Sequence, residues 1–352
     1  MPLKLCLYSS AHGFGHTTRL LAVAARLRAL EPHARIVLHS HVPDWLVAVH
    51  MAGDLERRGT LLDVGLIQSD SFTTDADATL EHLRALQARA EDLVRAEREW
   101  LEQEHFDIVL ADIAPLAGGL ADTHRPVWGM SNFGWDFIYR HIGDERFASW
   151  AAWSAQLYGK YSGLFRLPFA EAMDAFAVIE PVPLVVNEAR FERAYIRRQL
   201  GLSPDRPVAL MTFGGLGMAA FPAARVAEQP DWQFLLTAAA PPAPNITVVE
   251  PGAWRLIELL GAADLAIIKP GYSTVAECCA LGLPVACLTR PGFAEADLLI
   301  EGMSHCIDCR VLTTAAFLEQ RWDFLDGSLA RRPPLPAQGA RRVAERLLAL
   351  VR

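Results

Sequence analysis

Short apolar runs alternate with longer stretches whose apolar residues recur every three or four positions, and the alternation occurs twice along the chain. In the first half LKLCLYSS reads as a strand, residues 16–30 as a helix and ARIVLHSH as a second strand. DADATLEHLRALQARAEDLVRAEREWLEQEH reads as one long helix whose opening acids suit the positive end of its dipole. FDIVLADIAP, apolar on both faces, and PVWGMSN are further strands. Strands of this kind separated by helices predict a parallel sheet covered on both sides. Residues 164–186 are apolar without clear periodicity and hold Pro168, Pro181 and Pro183, so they read as the crossover between two domains. The second half restarts with PVALMTFGG, WQFLLTAA, APNITVVE, ADLAIIKPG and PVACLTR as strands, a helix from Ser273 to Leu281, and an amphipathic closing helix in ARRVAERLLALVR. The expected fold class is α/β: two doubly wound domains, 1–185 and 186–352, facing across a cleft, with the last helix, 338–352, a candidate to pack back on the first domain.

Composition narrows the picture. A chain of 352 residues exceeds what one core usually holds, which agrees with two domains. The net charge of −8 argues against general nucleic-acid binding, which depends on Lys and Arg neutralising phosphates. Nowhere do ~18 apolar residues follow one another, so no membrane span is expected. MPLKLCLYSS lacks the apolar length and cleavage site of a signal peptide, and six cysteines form no disulfide framework; a cytoplasmic location is expected. Cys306 and Cys309 form one C-x-x-C, which without a second such pair reads as two ordinary thiols rather than a zinc site.

In doubly wound sheets ligands sit at the carboxyl ends of strands, and four strand-to-helix loops there carry candidate chemistry. The first is SSAHGFGHTTR, in which Gly13 and Gly15 permit a tight turn and His12 and His16 are placed to act as a base. It lacks the third glycine of a dinucleotide fingerprint, and the second strand ends in His39 and Ser40 without an acid, which disfavours a nicotinamide cofactor. Asp112 ends FDIVLAD, either to orient a histidine or to cap the next helix. Gly214, Gly215 and Gly217 in TFGGLGMAA leave backbone N–H groups free beside a helix start, an anion site or a plain tight turn, without the lysine of a P-loop. In IIKPGYSTVAECCALGLPVACL, Lys269, Gly271, Ser273 and Thr274 open a helix whose start suits a phosphate, and Glu277 lies one turn inside, in reach of a ribose diol. Glu295 and Asp297 in RPGFAEAD suit sugar hydroxyls or cap a surface helix.

The last two segments resemble the donor-binding signature of nucleotide-sugar glycosyltransferases with the GT-B fold, in which two Rossmann-like domains face each other. The matching residues are Gly271, Ser273, Thr274, Glu277, Gly282, Pro284 and Glu295. HGFGHTTR, LIQSDSFTTDADATL and SNFGWDFIY resemble, over nearly the whole chain, the glycosyltransferase-like N-terminal half of plant L-arabinokinases and its stand-alone bacterial homologues, related to the N-acetylglucosaminyltransferase of peptidoglycan synthesis. The resemblance implies His16 as the acceptor base, with His12 its competitor, and Asp112 as its partner. It implies Gly214, Gly215, Gly217, Ser273 and Thr274 as the diphosphate cradle, Glu277 as ribose ligand and Glu295 on the donor sugar. Lys269 stands where related enzymes often carry a histidine, and still favours phosphate. Gly13, Gly15, Gln68, Asn132, Trp135 and Asp136 fall on the acceptor side. The implied function is transfer of a sugar, without metal or other cofactor and with inversion, from a UDP-sugar to a small-molecule, glycan or lipid acceptor. Asp75-Ala76-Asp77 looks like a metal-binding Asp-x-Asp, but its place at a helix start favours capping. The sugar-kinase domain that arabinokinases carry after this region does not follow here, so kinase activity is not expected. The alternatives are a UDP-sugar 2-epimerase or hydrolase on the same scaffold, and a nucleotide-sugar-binding module without turnover.

Overall fold

A computed structural model describes residues 2–51, 53, 55–122, 124–215, 217–218, 221–319 and 321–352. The apolar runs of the first half form β1 (Lys4–Ser9), β2 (Arg35–His39), β3 (Glu56–Arg58), β4 (Ile108–Asp112), β5 (Val127–Ser131), β6 (Gly163–Arg166) and β7 (Ile179–Pro181). They pair in parallel in the order β3-β2-β1-β4-β5-β6-β7. Those of the second half form β8 (Val208–Thr212), β9 (Gln233–Leu236), β10 (Ile246–Val248), β11 (Leu265–Ile268), β12 (Val285–Leu288) and β13 (Cys309–Leu312), also parallel, in the order β10-β9-β8-β11-β12-β13. These are the two doubly wound sheets of a GT-B fold.

Two local expectations need correction. Residues 164–186 are not only a crossover: they supply β6 and β7, and Pro181 ends the edge strand β7, where a missing N–H costs no ladder bond. The long helix is two, Ala76–Ala88 and Ala90–Gln103, interrupted at Arg89 (φ −114°). After the break the second helix aims Glu97 inward, where its Oε2 accepts the Tyr8 hydroxyl at 2.7 Å.

The helix after β1, α1 (Gly15–Leu30), lies between the halves. It packs on the closing helix Gly339–Val351 and on the helix Tyr272–Leu281. One apolar cluster consequently runs from Leu5 and Leu7 through Leu20, Leu21 and Val23 to Val275, Val343 and Leu347, joining both halves. The closing helix is also tied to the first sheet by Gly339 N–H donating to Leu184 O at 3.0 Å and by Arg346 beside Glu180 at 2.9 Å. Among the described residues no helix is long and apolar enough to cross a membrane.

Candidate active site

β1 and β4 lie side by side where the strand order reverses, with Ser9 opposite Asp112. The loops after both strands bound one crevice there. Gly13 takes φ +71°, a left-handed conformation that a side chain disfavours, and turns the chain straight into α1. His16 and Arg19 stand one helical turn apart on α1, so they share a face. Asp112 is fully buried and takes both. Its Oδ1 accepts from His16 Nδ1 at 2.7 Å and from Arg19 Nη2 at 2.5 Å, while Oδ2 accepts from Arg19 Nε. Burial alone would raise this carboxyl, but the charges of Arg19 and His16 and their hydrogen bonds hold it below the usual aspartate value. An ionised Asp112 accepts from Nδ1 and so favours a proton on that nitrogen. The capping alternative for Asp112 does not occur, since the next element, the short 3-10 helix Pro115–Leu120, has Ala114 at its N-cap.

His12 is placed differently. Its Nδ1 lies 3.2 Å from Leu66 O and its Nε2 3.5 Å from Arg290 Nη2, so both ring nitrogens face partners. Burial, then the charges of Arg290, His16 and Lys269, push it well below the usual histidine range. Its ring stacks on Phe293 and meets Trp135 edge-on. Of the two histidines, His16 has the carboxylate behind it.

The second sheet repeats the geometry: β8 and β11 adjoin at its own reversal, with Ile268 opposite Thr212. Lys269 follows β11, and the glycine loop follows β8. Gly214 and Gly217 take φ +80° and +65°, and a Cβ on Gly215 would stand 2.7 Å from the Phe14 ring of the first domain. Leu216 lies outside the described residues. The helix expected directly after this loop starts only at Ala223 and is five residues long, so the loop offers backbone groups but no helix end. Gly271 precedes the helix Tyr272–Leu281, and Ser273 and Thr274 stand in its first turn. Ser273 Oγ donates to Gly15 O at 3.0 Å, which brings the two halves into contact beside His16.

Lys269 has Arg290 as a cationic neighbour. Burial pushes its ammonium down to about 7, Arg290 adds to the effect, and Glu295 and Asp70 oppose it. Arg290, 5% exposed, follows β12, lies 3.8 Å over the Phe293 ring and leaves Nε without a hydrogen-bond partner among the described residues; burial lowers it to about 10. A half-buried lysine and a buried arginine with a glycine loop beside them could hold an anion. Glu277 is buried on the same helix. Burial pushes its carboxyl up to about 8 against hydrogen bonds from Asn187, and Oε2 has no hydrogen-bond partner among the described residues.

Glu295 opens the helix Glu295–Ser304, and its Oε1 accepts from Asn132 Nδ2 at 2.9 Å across the cleft. Trp135 is fully buried beneath the histidine loop, its Nε1 donating to Asp63 Oδ2 at 2.9 Å. Asp136, also buried, pairs with Arg140 at 2.8 Å. Gln68 bridges to Thr74, with a buried Nε2 that lacks a partner among the described residues. Asp75 caps the helix Ala76–Ala88, accepting Ala78 N–H at 2.9 Å, and Asp77 pairs with Arg146 at 2.7 Å. Among the described residues no cluster of three or more His, Cys, Asp and Glu is arranged to hold a metal.

Three residues of the site escaped the sequence reading: Arg19, Arg290 and Asp63. Arg19 had a signal, its spacing of three from His16 at the start of a helix. Arg290 had one too, its place immediately after a strand of the second sheet. Asp63, which also accepts Ala11 N–H at 2.8 Å and so holds the histidine loop, follows no strand and had none.

No protein-family model matches the chain. Over 345 residues it is 30% identical to an L-arabinokinase of Arabidopsis thaliana, a match that covers 94% of this chain and 32% of that protein. The chain thus spans about a third of the length of this relative. Over 164 residues, 39% of this chain and 44% of the other, it is 29% identical to a UDP-N-acetylglucosamine–N-acetylmuramyl-(pentapeptide) pyrophosphoryl-undecaprenol N-acetylglucosamine transferase of Desulforudis audaxviator (strain MP104C). Its fold is that of a UDP-glucosyltransferase from Polygonum tinctorium, with a TM-score of 0.65 at 13% identity over 100% of this chain and 93% of that one. It is equally that of a putative UDP-N-acetylglucosamine 2-epimerase from Listeria monocytogenes, with a TM-score of 0.61 at 15% identity over 99% and 95%. The resemblance read from the sequence holds: the solved structures share the GT-B glycosyltransferase fold, and the curated relatives include the arabinokinase.

Proposed function

We propose that the chain is a metal-independent glycosyltransferase that moves a sugar from a UDP-sugar to an acceptor hydroxyl with inversion. The observation that carries this reading is the His16–Asp112 pair at 2.7 Å, beside the Gly15–Ser273 contact where the base loop meets the donor helix. His16 Nε2 takes the proton of the acceptor hydroxyl as its oxygen attacks the anomeric carbon. The bond from that carbon to the diphosphate oxygen breaks, and UDP leaves with the electron pair. Lys269 and Arg290 balance the charge that grows on the leaving diphosphate, which is the work a metal does in other transferases. Glu277 Oε2, buried and unpaired among the described residues, suits a ribose hydroxyl; Glu295 suits a hydroxyl of the sugar. The resemblance to the transferase of lipid-linked substrates and to the UDP-glucosyltransferase supports UDP and leaves small-molecule, glycan and lipid acceptors as candidates.

The test is calorimetry with UDP and a panel of UDP-sugars in the presence of a chelator, followed by product analysis with acceptors. Binding that vanishes on chelation sinks the metal-free reading. A second reading, a UDP-sugar 2-epimerase or hydrolase, is favoured by the match to the 2-epimerase over 99% of this chain. It requires donor to be converted with no acceptor present; donor consumed only when an acceptor is added excludes it.

A further inference from the structure

We propose that Arg19 is a positioning residue that sets the basicity of His16 by sharing the Asp112 carboxylate. The role rests on the transferase reading above, in which His16 is the base. A carboxylate that serves a histidine alone puts its whole charge behind the imidazolium and strongly favours it. Asp112 is not in that position. Oδ1 accepts from His16 Nδ1 and Arg19 Nη2 together, Oδ2 accepts from Arg19 Nε, and the guanidinium lies in plane across both oxygens. Arg19 cannot swing away: it is 2% exposed, Nη1 donates to Asn132 Oδ1 at 3.1 Å, Nη2 lies 3.2 Å from Ser131 Oγ, and Tyr272 of the second domain covers it at 5.0 Å. The pair Arg19–Asp112 is therefore neutral as a unit. Asp112 still orients the imidazole through Nδ1, but less of its charge is left to favour the imidazolium.

The other charges facing His16 do not substitute for Arg19. Asp63 interacts with His16 from beneath the loop, and His12 from the end of β1, with Lys269 and Arg290 beyond it. Glu295 acts on Arg19 across the cleft, with Asn132 between them. None of these groups bonds to Asp112, so losing the guanidinium leaves the buried carboxylate with His16 as its one cationic partner among them.

The full chain labelled with 15N-histidine, without donor or acceptor, is titrated by NMR as the parent, R19Q and R19K. R19Q is expected to raise the midpoint of His16 by about 1–3 pH units, the usual effect of an unshared opposite charge. R19K, which retains the charge, is expected to move it much less. A folded R19Q with the parent's midpoint, or an R19K shift as large as that of R19Q, overturns the proposal. Should R19Q not fold, the parent decides through the 13C signal of Asp112, expected to take up its proton well below the range in which His16 titrates. A carboxyl that protonates within that range overturns the proposal equally. No sugar transfer is involved in these readings, so they stand apart from a failure to detect product with donor and acceptor.

Discussion

The two strand-end crevices were built by the same topology and finished in opposite ways. Around His16 the polar groups satisfy one another: Arg19, Asp112, His16, Ser131 and Asn132 form one connected network, and Asp63 secures the loop above it. In the second domain they do not. Arg290 is buried and Lys269 half-buried, with no ion pair to either at hydrogen-bond distance among the described residues, and Arg290 Nε, Glu277 Oε2 and the Tyr272 hydroxyl lack hydrogen-bond partners among the described residues. Buried polar groups are normally paired, because leaving one unpaired costs about 1–3 kcal/mol. The contrast teaches that the first crevice is organised in advance to hold a proton acceptor in one tautomer. On the proposed reading, the second is completed by an anion and its attached hydroxyls.

The largest expected effect is on catalysis in the first crevice. His16→Ala should lower transfer by roughly 10²–10⁴-fold, the usual worth of a positioned base, with the donor dissociation constant little changed. His12→Ala is the control; if it abolishes transfer while His16→Ala does not, the assignment of the base is reversed.

Stability should show the same contrast. Asp112→Ala strands the buried Arg19 charge and should cost about 3–5 kcal/mol in equilibrium denaturation. Lys269→Met removes a charge that burial already disfavours, and should stay within about 1 kcal/mol of the parent. Equal losses from both substitutions would erase the distinction between a satisfied and an unsatisfied crevice.

The second crevice should respond to pH. Lys269 titrates at about 7 in the free chain, and a bound diphosphate favours the ammonium. Affinity for UDP-glucose, whose phosphates do not titrate near neutrality, should therefore fall as the pH rises above about 7, by at most about tenfold per unit for one proton. Lys269→Met should flatten the dependence in calorimetry. A pH-independent affinity in the parent would separate Lys269 from the anion.

The smallest effect is expected from Glu277→Gln. Burial holds the carboxyl at about 8, largely neutral at pH 7, so the amide should fit with little change in thermal unfolding. UDP should bind about 5–30-fold more weakly, equivalent to about 1–2 kcal/mol for the hydroxyl contacts. An unchanged dissociation constant returns Glu277 to a purely structural place beside Asn187.

Much of this was legible from local pattern. Short apolar strands separated by helices require parallel sheets, and each loop singled out does stand at the carboxyl end of a strand: His12 and His16 after β1, Asp112 at the end of β4, Gly214 after β8 and Lys269 after β11. Those features depend on neighbours within a few residues, and a linear chain displays them. The interruption at Arg89 and the short strands β6 and β7 were not legible, because helix propensity outweighed packing at the first and three prolines obscured the second.

The partners of each charge were settled only by the folded chain. Arg19 and Asp112 are 93 positions apart, and it is the pairing of β1 with β4, Ser9 opposite Asp112, that brings the guanidinium onto the carboxylate. Asn132 and Glu295 meet over 163 positions, across the cleft between two sheets. An ion pair or an orphaned carboxylate is a property of distance and burial, and neither is written in the spacing of residues along the chain. The sequence named the histidine; the register of two strands decided which charges stand behind it.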